Sequence, residues 1–582
     1  MESLDTARPL RFGAFELDVR LRELRNGARR IRLQEQPFEI LRLMLERPGD
    51  IVTREQLRQR LWPDGTYVDF EHSLNAAVKR LRAALGDDAE NPRFVETLPR
   101  RGYRFIAPLS HVTEPPAAAE APARLRLAVL PFTNLSEDPA QDYFSDGLTE
   151  EMIAQLGSIY RGRIGILARW SSMTFKGTTR RAREIGEALN ADYLLEGSVR
   201  REGDRVRITA RLVEAATETH LWSQTYDREL VDCLDVQSEV AAHVARSLAV
   251  ELVPEAPARR AAGGDPAAYQ LYLKGRYYWN KPADDGLAEA IGFYERAIAE
   301  APALGLAHAA LARARVARAE YYRGVPRLAL KDAETCAARA LAIDRGLDEA
   351  LIALGDVRRM HDLDWRGAEE AYTHAIALNP SCETAHRKYA TLLSALCRHD
   401  EARREADRAC ALDPLCLSVA TAGAWVRFAA GDYEGAIAEC RDTIDMDPAL
   451  TTARRVIGAA LLLCGREAEA LVELESAVAL ADPDPVLLAW LAHARGVTGA
   501  RAEARQALER ARGLAAERYV SRYHLAIAYA GLDDLDAAFA ALDEAWLDRD
   551  PGLAFVQVEP RFEPLRGDRR YRALLARVNL PG

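Results

Sequence analysis

Four polar side chains, Asn75, Lys79, Arg80 and Arg82, fall within eight positions of one another, and Arg100, Arg101 and Arg104 follow. Arginine suits guanine edges and phosphates alike, and lysine adds a flexible point charge. The chemistry these residues offer is recognition of a polyanion. Nothing of comparable strength points to a metal. All eight cysteines lie after residue 230, none forms a CxxC pair, and no Cys/His cluster has zinc-ligand spacing. No metal and no other cofactor is expected.

The first group must be positioned by a helix. Residues 72–87 read "HSLNAAVKRLRAALGD". On a helical wheel Leu74, Val78, Leu81 and Leu85 form one narrow apolar stripe. The opposite side carries His72, Asn75, Ala76, Lys79 and Ala83, with Arg80 and Arg82 flanking it. Ala76 and Ala83 are small enough to allow close approach to another surface, and a major groove about 12 Å wide admits such a helix. Three basic residues alone would more often mark a solvated face, so the neighbouring segments decide.

Upstream, "LQEQPFEILRLMLERPGDIVTREQLRQRLW" (33–62) predicts an amphipathic helix, a Gly-containing turn and a second helix with Thr53 as N-cap. Residues 10–33 read as short strands with a turn at Asn26-Gly27. Residues 93–108, "RFVETLPRRGYRFIAP", read as a hairpin turning at Arg100-Arg101-Gly102. Strands, three helices and a basic hairpin, with "VKRLRAAL" (78–85), Leu61-Trp62 and "VETLPRRGYRF" (95–105), resemble the OmpR/PhoB-type winged-helix DNA-binding domain over 10–108. The resemblance implies double-stranded DNA as partner, the third helix in the major groove and the hairpin as a wing. It places Arg80 at a base contact, Lys79 and Arg82 at phosphate or base contacts, Trp62 near the backbone, and Arg101 and Arg104 in the wing. The loop "PDGTYVDFEH" (63–72) is its candidate contact with RNA polymerase. The ten residues before the domain leave no room for a receiver domain, and no membrane helix follows, unlike the CadC/ToxR-like branch. Neither aspartate phosphorylation nor a periplasmic sensor is expected.

The bulk numbers agree with a local role for DNA. The 582-residue chain has a net charge of -10, but residues 1–110 carry 20 Lys+Arg against 17 Asp+Glu. Only this end suits a polyanion, and modestly, so a homodimer or tandem half-sites would help binding. No signal pattern opens the chain and no apolar run reaches the ~18 residues of a membrane helix. A cytoplasmic protein without membrane contact is expected.

Composition divides the rest. Residues 109–124 are a Pro/Ala-rich linker. Residues 125–232 alternate strands and helices. Here 142–156 is a helix starting near Asp146 or Thr149, 163–173 a strand, 178–190 a helix, and 191–230 two or three strands with a hairpin at Glu202-Gly203-Asp204. This small α/β domain has no Gly-rich phosphate loop, GxSxG or HExxH, so no catalytic residue is expected. "DYFSDGLTEE", "YLLEGSVRREGDRVRITARLV" and "HLWSQTYDREL" resemble the TolB N-terminal-like domain. Residues 233–266 read as a connecting helix and linker.

From 267 to 550 alanines at 368, 402, 436, 470, 504 and 538 keep a step of 34, as do Ala390, Ala424, Gly458, Ala492 and Ala526, and Pro380, Pro414 and Pro448. Three coincident registers predict about eight two-helix units, and "AEEAYTHAIALNP" (368–380) resembles the tetratricopeptide repeat. A spacing of 78 between Pro302 and Pro380 gives one unit about ten extra residues. Residues 551–582 cap the array. A long concave surface for a protein or peptide is expected. The whole is thus a multidomain chain: a winged helix-turn-helix (α+β), a small α/β domain and an all-α solenoid. The expected function is sequence-specific transcriptional regulation. The rival is a cytoplasmic scaffold whose winged helix binds protein, against which the basic "RRGYR" speaks.

Overall fold

The computed structural model divides into two units, 1–123 and 124–582. It describes residues 10–12, 15–18, 23–26, 29–31, 33, 35–46, 49, 51–61, 70–85, 87, 92, 94–98, 101–107 and 110–111 of the first. In the second it describes 125–580 apart from 137, 161–163, 204, 230–232, 249–264, 282–283 and 482.

The first unit opens with an antiparallel meander, Leu10–Phe12 (β1), Phe15–Asp18 (β2), Glu23–Asn26 (β3) and Arg29–Ile31 (β4). Glu35–Glu46 (α1) follows, then Ile51–Thr53 (β5), Arg54–Leu61 (α2), Phe70–Leu85 (α3), and the hairpin Val95–Leu98 (β6) and Gly102–Phe105 (β7). Ser110–His111 (β8), within the stretch read as linker, pairs with β1. The sequence dictates these joints. At the start of α2 the Thr53 amide donates to Gln56 Oε1 at 2.8 Å, and the Gln56 amide to Thr53 Oγ1 at 3.2 Å, a reciprocal capping box. Gly102 lies so close to β5 that a Cβ would stand 2.1 Å from the Val52 carbonyl oxygen, at φ +155°. Leu74, Val78, Leu81 and Leu85 are buried with Phe38, Leu41, Met44, Tyr103 and Phe105 in one core.

The second unit begins with Arg126–Val129 (β9), Thr133–Asn134 (β10), Asp142–Tyr160 (α4), Gly165–Ile166 (β11), Arg169–Met173 (α5) and Ala182–Leu189 (α6). Tyr193–Glu202 (β12), Arg205–Glu214 (β13), Thr219–Glu229 (β14) and Cys233–Ser247 (α7) complete it. The sheet order is β11-β9-β12-β13-β14, parallel at β9 and antiparallel from β12 onward, with β10 beside β12. Three expectations change. The strand expected over 163–173 stops at Ile166 and continues as the short α5. Helix α4 starts at Asp142, which places Asp146 and Thr149 inside it, both buried. The helix read as a connector, α7, buries Val236, Val240 and Val244 in the middle domain's core.

Eight antiparallel helix pairs follow among the described residues. They are Pro266–Trp279 (α8) with Asp284–Glu300 (α9), Gly305–Glu320 (α10) with Pro326–Ile343 (α11), and Asp348–Val357 (α12) with Trp365–Leu378 (α13). Next come Glu383–Ala395 (α14) with His399–Leu412 (α15), and Leu417–Ala429 (α16) with Tyr433–Met446 (α17). Thr451–Leu463 (α18) with Glu467–Leu480 (α19), Pro485–Val497 (α20) with Arg501–Gly513 (α21), and Arg522–Gly531 (α22) with Leu535–Asp548 (α23) complete the set. The periodic alanines are 0–1% exposed, as expected where helices cross. The extra residues of the long unit lengthen α10 and α11 to 16 and 18 residues, against 13 and 14 in α14 and α15.

Two features alter the expected open groove. First, the array closes on itself. Tyr322, after α10, stacks on Tyr519 and its hydroxyl lies 3.2 Å from Asp550 Oδ1. The C-terminal segment, two 3₁₀ turns and Arg569–Arg577 (α24), returns to the third pair, where Trp365 Nε1 donates to the Val578 carbonyl at 3.0 Å. Second, the turns between repeats grip the middle domain. The Ile166 amide donates to Ser381 Oγ at 3.2 Å, the Ala168 amide to the Leu412 carbonyl at 2.8 Å, and Ser171 Oγ to Asp413 Oδ1 at 2.5 Å.

Candidate nucleic-acid interface

Helix α3 turns one face outward because its apolar stripe is consumed by the core. Leu74, Ala77, Val78, Leu81 and Leu85 are 0–3% exposed. Asn75, Lys79 and Arg80 are exposed beside half-buried Ala76. Lys79 forms no ion pair among the described residues. Arg80 Nε donates to the Ala76 carbonyl at 3.3 Å, which lays its stem along the helix. Arg101 is exposed at the tip of the wing. Its amide closes the hairpin turn on the Leu98 carbonyl at 3.0 Å, and its carbonyl accepts from the Arg54 amide.

Three residues read as DNA contacts have hydrogen-bond partners within the domain. Arg82 is half-buried, and its Nη2 donates to the Val95 carbonyl at 2.6 Å and to Thr97 Oγ1 at 2.8 Å. Arg104 pairs across the hairpin with Glu96, at 2.6 and 2.8 Å from Oε2. Asn75 Oδ1 accepts from the Tyr103 hydroxyl at 2.8 Å, although its side chain borders the exposed face. Arg54 lies over the same Tyr103 ring at 5.4 Å. The wing is therefore fastened to α3 at both edges. Trp62, Arg100, the side chains of His72 and Ala83, and the loop from 62 to 69 lie outside the described residues.

Sequence reasoning missed the fasteners Tyr103, Asp87 and Arg54. Asp87 takes the Val95 amide at 2.8 Å and the Phe94 amide at 3.3 Å, so it holds β6 against the end of α3. The Gly-Asp that ends the helix signal was its only trace in the sequence. Among the described residues no cluster of His, Cys, Asp and Glu could hold a metal ion, and no helix is long and apolar enough to cross a membrane.

Comparison with known proteins matches two stretches of the chain to described families. Residues 28–105 match the family described as transcriptional regulatory protein, C terminal. Residues 123–243 match the second domain of HilA/YgeH-like transcriptional regulators, a span that takes in most of α7. The chain is 37% identical over 212 residues, 35% of its length, to "Putative adenylate cyclase 3" of Rhizobium meliloti (strain 1021), and spans 36% of that protein. It is 31% identical over 93 residues, 16% of its length, to the cholera toxin homolog transcriptional activator of Vibrio parahaemolyticus, spanning 32% of it. It is 23% identical over 414 residues, 70% of its length, to the transcriptional regulator HilA of Salmonella typhimurium, spanning 71% of it. The chain thus carries an OmpR/PhoB-type DNA-binding domain at residues 28–105, joined to a HilA-like second domain and to tetratricopeptide-like repeats.

Proposed function

We propose that the chain regulates transcription by laying α3 in the major groove of promoter DNA. Lys79 and Arg80 face the groove, Arg101 touches the backbone or minor groove from the wing, and Ala76 allows close approach. The exposed Asn75–Lys79–Arg80 face, opposite a fully buried stripe, is the observation that carries this reading. Arg82 acts as a positioning residue between helix and wing, and Arg104 braces the hairpin through Glu96. The match of 28–105 to the regulatory family supports the same role.

The finer parts of the proposal concern when this end acts. The protein works in the cytoplasm, binds as a homodimer on paired half-sites, and meets RNA polymerase through the loop at 63–72. The middle domain and repeats respond to a regulatory partner, which for the repeats is a protein or peptide on their outer surface. Catalysis is no part of the proposal.

Footprinting of the full-length protein on genomic fragments tests it directly. Protected sites should share a motif. Arg80→Ala should reduce the preference for that motif over scrambled DNA by about 1–3 kcal/mol, the worth of a bidentate base contact. Equal binding of motif and scrambled DNA by both proteins sinks the reading.

A further inference from the structure

Within the second unit, helices α4 and α5 and the first helices of successive repeats line a partly open chamber of about 990 Å³. That is the size of a small-molecule site. Eight Lys/Arg and seven Asp/Glu side chains line it. The acids already have partners. Glu150 pairs with Arg276 at 2.5 Å and Arg169 at 3.4 Å, and Glu349 pairs with Arg276 at 2.6 Å. Glu320 pairs with Lys388 at 2.5 Å, and Asp348 accepts from Asn379 at 2.9 Å. Asp484 caps α20 through the Val486 amide at 2.7 Å. Glu151 accepts from the Tyr272 hydroxyl, and Glu383 from the Thr384 hydroxyl.

Two of the cations differ. Arg387 of α14 and Arg455 of α18 each bury an Nε that has no hydrogen-bond partner. Neither has an ion pair among the described residues. They occupy equivalent positions two repeats apart, with Thr421 at the intervening one. Arg455 is fixed by stacking on Trp490, 4.7 Å from the ring centre. Burial holds its pKa below the ordinary arginine value, as for a cation whose charge is not fully matched.

The backbone agrees. Helices α16 and α18 present Ser418 and Thr452 to the chamber from their first turns. Neither first turn holds an acid and neither N-cap side chain caps a backbone amide, Ser418 Oγ lying 3.2 Å from Cys416 Sγ. Their positive dipole ends favour an anion. Trp170 and Tyr321 are 46% and 66% exposed, and both line the chamber.

We infer that the chamber binds a small anionic molecule with at least two carboxylate or phosphate groups, held by Arg387 and Arg455 with Ser418 and Thr452 between them. The inference rests on the regulatory reading only in making this molecule the signal. Its test needs no DNA, so its failure leaves the DNA-binding face untouched.

Calorimetric titration of the full-length protein at fixed ionic strength decides it, with sodium pyrophosphate and sodium citrate as probes and putrescine as the cationic control. Saturable binding of one of the two anions and none of putrescine is expected, and the anion that binds identifies phosphate or carboxylate chemistry. Arg387→Gln should weaken binding about tenfold or more, the loss of one charge-assisted hydrogen bond. Arg387→Lys should retain part of it, and Arg455→Gln should add to the loss. Arg570→Gln, outside the chamber, should bind as the parent does. Should Arg455→Gln unfold by circular dichroism, the Arg387 pair of variants decides alone. The inference is overturned if neither anion saturates, if Arg387→Gln binds as tightly as the parent, or if only a hexaglutamate peptide binds.

Discussion

The Arg82 guanidinium donates to the Val95 carbonyl at 2.6 Å, tying α3 to the first strand of the C-terminal hairpin. Thr97 takes a second bond from the same Nη2, and Asp87 fastens the strand's amides from the helix end. Helix and wing are thereby held at one angle. On the proposed reading, Arg82 sets the geometry of the surface that meets DNA.

Arg82→Ala should therefore act through structure. Hydrogen bonds from a charged group contribute about 1.5–3 kcal/mol, so urea unfolding of the first unit should show a loss in that range. Affinity for DNA should fall, but the slope of log K against log salt should not change, because no phosphate contact is removed. A shallower slope in Arg82→Ala would return the residue to the DNA surface.

Lys79→Ala should give the opposite pattern. Lys79 is exposed and has no ion pair among the described residues, and its loss should leave stability within about 0.5 kcal/mol of the parent. If it meets a phosphate, the salt slope should drop by about 0.9, with equal weakening on motif and scrambled DNA. Fluorescence anisotropy at four salt concentrations measures both.

Much of this was legible in the sequence, because short-range patterns carry it. The apolar stripe of α3, the Thr53–Gln56 capping box, the hairpin at Gly102 and the 34-residue registers each lie within a few turns of chain. What escaped depends on partners distant in sequence. Arginine is long enough for Arg82 to reach a backbone carbonyl 13 residues away, and a carbonyl has no sequence signature. The strand expected over 163–173 ends at Ile166 because the Ala168 amide pairs with the Leu412 carbonyl of a repeat, 244 residues on. Closure of the array through Tyr322, Tyr519 and Asp550 left no periodic trace, since each stands outside the repeating positions. The fastening role of Arg82 was the least legible part, because an arginine in the sequence gives no sign of the carbonyl it will reach.

The grip on the middle domain should respond to pH. Asp413 is 1% exposed, with Oδ1 bonded to Ser171 and Oδ2 buried without a partner. Burial first, then Glu383, pushes its pKa up to about 7, well above the ordinary 3.8. The folded state then holds this proton over roughly pH 4–7 where the unfolded chain does not, so its contribution to stability falls as pH rises through that window. Asp413→Asn keeps an acceptor for the Ser171 amide and removes the ionisation. In thermal melts the variant's advantage over the parent should be small near pH 4 and larger at pH 8. A parallel offset at both pH values would show that Asp413 does not titrate there.

Two glycine substitutions should move stability in opposite directions. Gly458 stands in α18 at a helix crossing, and a Cβ there would lie 2.6 Å from Leu474 Cγ. Leu474 is 1% exposed within the core of that part of the array, so it has no free space to enter. Replacing a helical glycine by alanine gains about 0.8–1.0 kcal/mol of helix propensity, while overpacking a core costs about 1–3 kcal/mol. Gly458→Ala should therefore destabilise. Gly292 in α9 is also helical, but nothing lies within 4 Å of its Cβ position. Gly292→Ala should collect the propensity gain and stabilise by up to about 1 kcal/mol. Chemical denaturation of the full chain compares the two. A gain in both would mean that the small residues of the 34-residue register are not set by helix approach, and a loss in both would mean that α9 is held by contacts a methyl group disturbs.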